Sequence, residues 1–134
     1  MQLEQQVSNR ELSIKLRDLG VKQDSYFWWH TPIREGFGYP VIRSSTNTYR
    51  DGTEPNCSAF TCSELGEMLP KYVGVPQRQY FDYRSEEKIE LEKPLWYWSV
   101  GGDFTKYSSG LADTEADARA KMLVYLLENE LITL

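Results

Sequence analysis

Thr114-Glu115-Ala116-Asp117-Ala118-Arg119-Ala120-Lys121-Met122-Leu123-Val124-Tyr125-Leu126-Leu127-Glu128 is the stretch whose period decides the fold. It holds neither Gly nor Pro. Ala116, Ala120, Leu123, Leu127 and, further on, Leu131 recur at helical spacing, and Met122, Val124 and Leu126 widen the stripe. Lys121 and Glu128 fall toward the polar side. Asp113 or Thr114 stands where an N-cap is needed, and Glu115 and Asp117 bring negative charge to the positive end of the helix dipole. The pattern predicts a long C-terminal helix with one face buried on a sheet, alanines allowing close approach near its start and leucines filling the core near its end.

Working back from that helix, two segments rich in aromatic residues, 78–84 and 94–101, read as strands separated by the charged run Ser85 to Lys93. In the second, Trp96 and Trp98 share one face and Tyr97 takes the other. A further strand over 104–107 would pair back beyond Gly101-Gly102. Thr61-Cys62-Ser63-Glu64 has the capping-box form and opens a short helix that Pro70 ends. Tyr26-Phe27-Trp28-Trp29-His30-Thr31, closed by Pro32, predicts a strand with bulky groups on both faces. Ser8-Asn9-Arg10-Glu11 is a second capping box, placing a first helix over 9–19 with Gly20 as its stop. Between Pro32 and Phe60 the pattern weakens. Residues 39–43 read as a short strand and Asp51-Gly52 as a turn, but the rest is a long irregular excursion at about 32–60, a length that in a small domain marks a functional or mobile loop.

These elements add up to one α+β domain over 1–134. The expected arrangement is an antiparallel sheet of three to five strands with the N-terminal helix and the long C-terminal helix packed on one face. A chain of 134 residues buries roughly two-thirds of its unfolded surface, enough for a core without staples. The formal net charge of −5 opposes non-specific nucleic-acid binding. No apolar run is long enough to span a membrane, and Met1 to Gln6 lacks the features of a secretory signal, so a cytoplasmic location and reduced Cys57 and Cys62 are expected.

Catalytic chemistry finds little support. His30 is the single histidine, which excludes any metal site needing two imidazoles, and Cys57 and Cys62 lack zinc-knuckle spacing; no metal and no cofactor is expected. Cys62 near a helix N-terminus, with His30 as base, is the one nucleophile system available. Glu86, Glu87, Glu90 and Glu92 are interleaved with Lys88 and Lys93, as on a solvated hairpin face. The compositional oddity is aromatic: 13% of the chain, with four Trp and nine Tyr. Trp28, Trp29, Trp96 and Trp98, with Arg34, Arg43 and Arg84, are the candidate binding residues. They would form either a protein-binding patch or a stacking pocket for a nucleotide or other small ligand.

Phe60 to Pro70, with Ser63-Glu64-Leu65-Gly66-Glu67-Met68-Leu69-Pro70 at its centre, then aromatic strands, then Leu111 to Asn129, resembles a group of small uncharacterised proteins of bacteriophages, prophages and conjugative elements. Leu16 to Val21 is similar to their openings, and the likeness skips Thr31 to Ala59. The resemblance implies a bacterial or viral intracellular setting and an accessory role. It carries no activity and so no functional residue. The expected function is non-catalytic binding of a host or phage protein through the aromatic sheet face and the long loop.

Overall fold

The computed structural model describes residues 2–34, 36, 38–71, 76–82, 89–97 and 111–134, and among these 77–82, 89–95, 97 and 111 by their backbone. The order is a short 3-10 turn (Leu3–Gln5), α1 (Arg10–Asp18), β1 (Phe27–Pro32), β2 (Val41–Arg43), β3 (Thr53–Ala59), α2 (Cys62–Met68), β4 (Gln77–Asp82), β5 (Ile89–Tyr97), β6 (Leu111–Ala112) and α3 (Glu115–Glu128). The chain is α+β, its described strands pair antiparallel, and a helix lies near each end. The strands divide between two three-stranded sheets, ordered β2-β1-β3 and β4-β5-β6.

Asn9, not Ser8, caps α1: its side chain accepts the Leu12 N–H at 2.8 Å. Ser8 is drawn into the core instead. Its N–H donates to Phe60 O (2.8 Å), and its carbonyl accepts the Trp29 indole N–H (3.0 Å) and the Ser13 hydroxyl (3.1 Å). Its own hydroxyl accepts the Phe60 N–H (3.1 Å) and lies 2.7 Å from Ser13 Oγ. Gly20 stops α1 as expected. At φ +91° it supports the wrap in which Val21 N–H reaches Leu16 O and Gly20 N–H reaches Arg17 O, each at 3.0 Å.

Thr114 caps α3 by accepting the Asp117 N–H at 3.1 Å. Asp117 in turn accepts the Asn9 backbone N–H (2.8 Å) and side-chain amide (3.2 Å), joining the starts of α1 and α3. Burial pushes the Asp117 carboxyl above its ordinary value, with the Asn9 donors working the other way. The expected stripe holds for Ala116, Ala120 and Leu123, and burial extends to Ala118, Met122, Val124 and Leu126. Leu127 is half-buried, while Leu131, beyond the helix end, is 43% exposed. Leu12, Leu16, Phe60, Leu65 and Leu69 meet α3 in the main core. β5 and β6 also lie against α3.

α2 begins with the predicted capping box, Thr61 accepting the Glu64 N–H while Glu64 accepts the Thr61 N–H. Gly66 lies inside this helix at the point where Arg119 crosses it; a Cβ there would meet Arg119 Nη1 at 2.7 Å. A second, smaller core joins Val7, Trp29, Cys57 and Ala59, flanked by Leu3, Ile14, Phe27 and Ile42. α1 therefore contributes to both cores, Leu12 and Leu16 to one and Ile14 to the other.

Two strand readings are corrected. The excursion at 32–60 contains β3, seven residues paired along all of β1. The run 85–93, read as a charged connection, gives Ile89 to Lys93 to β5, so that strand starts earlier than Pro94. The strand expected over 104–107 lies outside the described residues.

Two outcomes test this account. Ser8→Ala removes the acceptor of a buried N–H and the donor to Ser13, and should lower unfolding free energy by about 1–3 kcal/mol in urea titration. Glu130 holds φ +55° in the wrap that ends α3, with Leu131 N–H on Leu126 O at 2.9 Å. Glu130→Gly relieves that left-handed geometry and should raise stability by about 1 kcal/mol, read as a higher urea midpoint at unchanged slope.

Candidate functional site

Residues on β1 alternate between two destinations. Phe27 and Trp29 join the small core with Cys57 and Ala59 of β3 and Ile42 of β2. By the same alternation Trp28 and His30, with their β2 partners Arg43 and Val41, belong to the opposite, outer face. One extra residue in β3, Asn56, falls where Trp29 pairs with Cys57 but His30 with Pro55. Such a bulge tolerates Pro55 in a strand. Arg17 of α1 holds it, donating to Asn56 Oδ1 at 2.5 Å.

Segment 44–52 folds back over the outer face. The buried His30 donates from Nε2 to Ser45 O at 2.6 Å, since a carbonyl only accepts. Its ring meets the Tyr49 ring edge-on, 5.3 Å between centroids. The Arg43 guanidinium stacks 4.6 Å from the centre of the same Tyr49 ring and forms an ion pair with Asp51. Asp51 also accepts the Thr53 hydroxyl (2.9 Å) and N–H (3.3 Å). The Thr53 hydroxyl, followed by the Arg43 charge, holds the Asp51 carboxyl below its ordinary value. Gly52, at φ +77°, closes the turn with its N–H on Tyr49 O. Among the described residues, His30 Nδ1 and Arg43 Nε are buried without a hydrogen-bond partner.

The sequence candidates part company here. Trp29 is core, its indole committed to Ser8. Trp28 is half-buried and donates to Ser25 O at 3.1 Å. Arg43 joins the Tyr49–Asp51 cluster, and Arg34 is exposed just past β1. Trp96 is half-buried on β5, in the other sheet, across from Arg78 and Ala112. Arg84 and Trp98 lie outside the described residues.

Missing from the sequence candidates are Tyr49 and Asp51, which organise the loop, and Ile33 and Tyr39, which are 51% and 86% exposed in the loop that joins β1 to β2. The signal for the last two was their place beside Gly36 and Gly38; Tyr39, read as the start of a strand over 39–43, lies before it, because β2 begins at Val41.

The thiols are poor nucleophile candidates. Burial raises the Cys57 thiol, which sits on the core face of β3, away from His30. Burial raises Cys62 as well, with the Glu115 carboxylate adding to it. Both shifts oppose thiolate formation. Among the described residues no group of three or more His, Cys, Asp and Glu is placed to hold a metal ion. Set against known family models, curated proteins and solved structures, the chain matches none.

The loop's hold on the outer face is checkable. Tyr49→Ala removes the contacts to both His30 and Arg43, worth about 1–2 kcal/mol together. Amide exchange over 44–52 should then quicken about tenfold, while exchange in α3 stays unchanged.

Proposed function

We propose that this chain is a non-catalytic accessory protein of a phage or mobile element, and that it acts by binding another protein at the rim of its first sheet, through the loop that joins β1 to β2. The observation that carries this reading is the pair Ile33 and Tyr39, large apolar side chains left exposed beside Arg34 at the hairpin end. Neither contributes to a core cluster. Exposed aromatic and aliphatic anchors next to arginine have the composition of protein-binding hot spots. The accessory role rests on the resemblance of the Phe60 to Pro70 and Leu111 to Asn129 segments to phage and conjugative-element proteins. A protein partner is preferred to a nucleotide because Arg43 already pairs with Asp51 and stacks on Tyr49, and the two exposed anchors suit an extended surface.

The test is site-specific photo-crosslinking in bacterial cells, with p-benzoylphenylalanine at position 39 and, as a control, at exposed position 128. A discrete protein adduct from 39 and none from 128 is expected. The double variant Ile33→Ser/Tyr39→Ser should weaken binding to that protein about tenfold or more with thermal stability retained. Equal adducts from both positions, or full binding by the double variant, would reject the proposal.

A further inference from the structure

The single histidine of the chain lies beneath the 44–52 loop. His30 is 0% exposed, in the middle of β1 between Val41 of β2 and Pro55 of β3. Its Nε2–H is committed to the Ser45 carbonyl, the bond that seats the start of the loop. Nδ1 then carries the ring's lone pair, and it is buried with no hydrogen-bond partner among the described residues. The closed loop therefore suits the neutral ring: its one N–H is used, and an idle buried acceptor is tolerated more readily than an idle donor.

The charged ring suits it less, on two counts. A proton arriving at Nδ1 makes a buried N–H with no acceptor among the described residues, and an unmet donor costs most when it carries charge. The charges around the ring are also already matched. β2 contributes the Arg43 guanidinium, stacked on the same Tyr49 ring that the imidazole meets edge-on. The loop contributes Tyr49 and Asp51, and Asp51 is committed to Arg43 and to the Thr53 hydroxyl and N–H. β3 places Pro55 and Thr53 on this side, and its Glu54, paired with Thr31, falls to the other by alternation. The Thr53 hydroxyl, followed by the Arg43 charge, holds the Asp51 carboxyl below its ordinary value, so Asp51 stays ionised through the range in which histidines titrate. A charged His30 would share one tyrosine ring with Arg43 and find the cluster's carboxylate already paired.

We infer that His30 is a proton-operated latch, whose protonation releases the 44–52 loop from the outer face of the first sheet. The open loop leaves the imidazolium solvated and both its N–H groups served by water. Opening is therefore coupled to proton uptake: the closed form is favoured above the histidine range and lost as the pH falls through it. Release breaks the Ser45 bond and the Tyr49 contact together, because both run through one ring. The β2-β1-β3 ladder uses neither and stays, as does the small core on the opposite face. The latch works whether or not Ile33 and Tyr39 bind a partner.

With one histidine in the chain, the imidazole NMR signals belong to His30 alone. They are followed from about pH 8 to about pH 5, together with amide-exchange protection factors, in which the intrinsic pH dependence of exchange is divided out. Protection over 44–52 should fall about tenfold or more, with the midpoint of the imidazole signal, while protection in α3 is retained. His30→Gln keeps an amide donor for Ser45 O and cannot take up the charge, so its protection over 44–52 should be equal at the two pH values. The latch is overturned by unchanged wild-type protection over 44–52, by a loss whose midpoint departs from that of the imidazole, by an equal loss in α3, or by the same acid response in His30→Gln. Should His30→Gln fail to fold, the wild-type midpoints and the α3 control decide.

Discussion

Ser8 uses nearly every hydrogen-bonding group it has on a different element, and the order of protons through it is fixed. The Ser13 hydroxyl gives its one proton to the Ser8 carbonyl, so between the two hydroxyls it is Ser8 that donates to Ser13 Oγ, while Ser8 Oγ accepts the Phe60 N–H. The Trp29 indole closes the set on the same carbonyl. One residue thus registers the start of α1, the end of β3 and the centre of β1, in a buried site where each bond polarises the next. The consequence is geometric. α1 is held with Ile14 on the sheet and Leu12 and Leu16 on α3, so one helix divides two cores without a slip in either.

α3 depends on the same fixed position. Asn9 follows Ser8, and it is Asn9 that gives both its backbone and side-chain donors to Asp117. A carboxylate in the first turn of α3 thereby serves its own helix dipole and anchors the neighbouring helix start. It does so at a desolvation cost visible in its raised pKa. Close approach on the far side has its own signature. Gly66 leaves room for Arg119, which pairs with Glu115 one turn earlier at 3.0 Å. A glycine costs about 1 kcal/mol in a helix interior, and here it admits a long side chain that α2 would otherwise push aside.

What was legible in the sequence follows from how each element is stabilised. α3, the α2 capping box, the Gly20 stop and the aromatic β1 are local patterns, and they stand at or within a residue of where periodicity and capping place them. Ser8 was misread because a serine three residues before a glutamate looks like a cap, and nothing local records that its hydroxyl is wanted by Phe60, fifty-two residues away. β3 was missed for a related reason. Thr53-Glu54-Pro55-Asn56-Cys57-Ser58-Ala59 buries small residues against α1 and carries a bulge at Asn56, so it shows neither bulky β-formers nor strict alternation. Only pairing with β1 makes it a strand.

The candidate site illustrates the same limit from the other side. Composition pointed to tryptophans, yet Trp29 serves the core, Trp28 is tied to Ser25, and Trp96 belongs to the second sheet. The loop expected to be irregular packs Tyr49 on His30 and Arg43 and covers the outer face that those aromatics seemed to leave open. Covering the face moves the available surface to its rim. There the side chains of Ile33 and Tyr39 stay exposed and outside both core clusters, while the Ile33 N–H ties the loop to the 49–53 turn through Gly52 O at 2.7 Å.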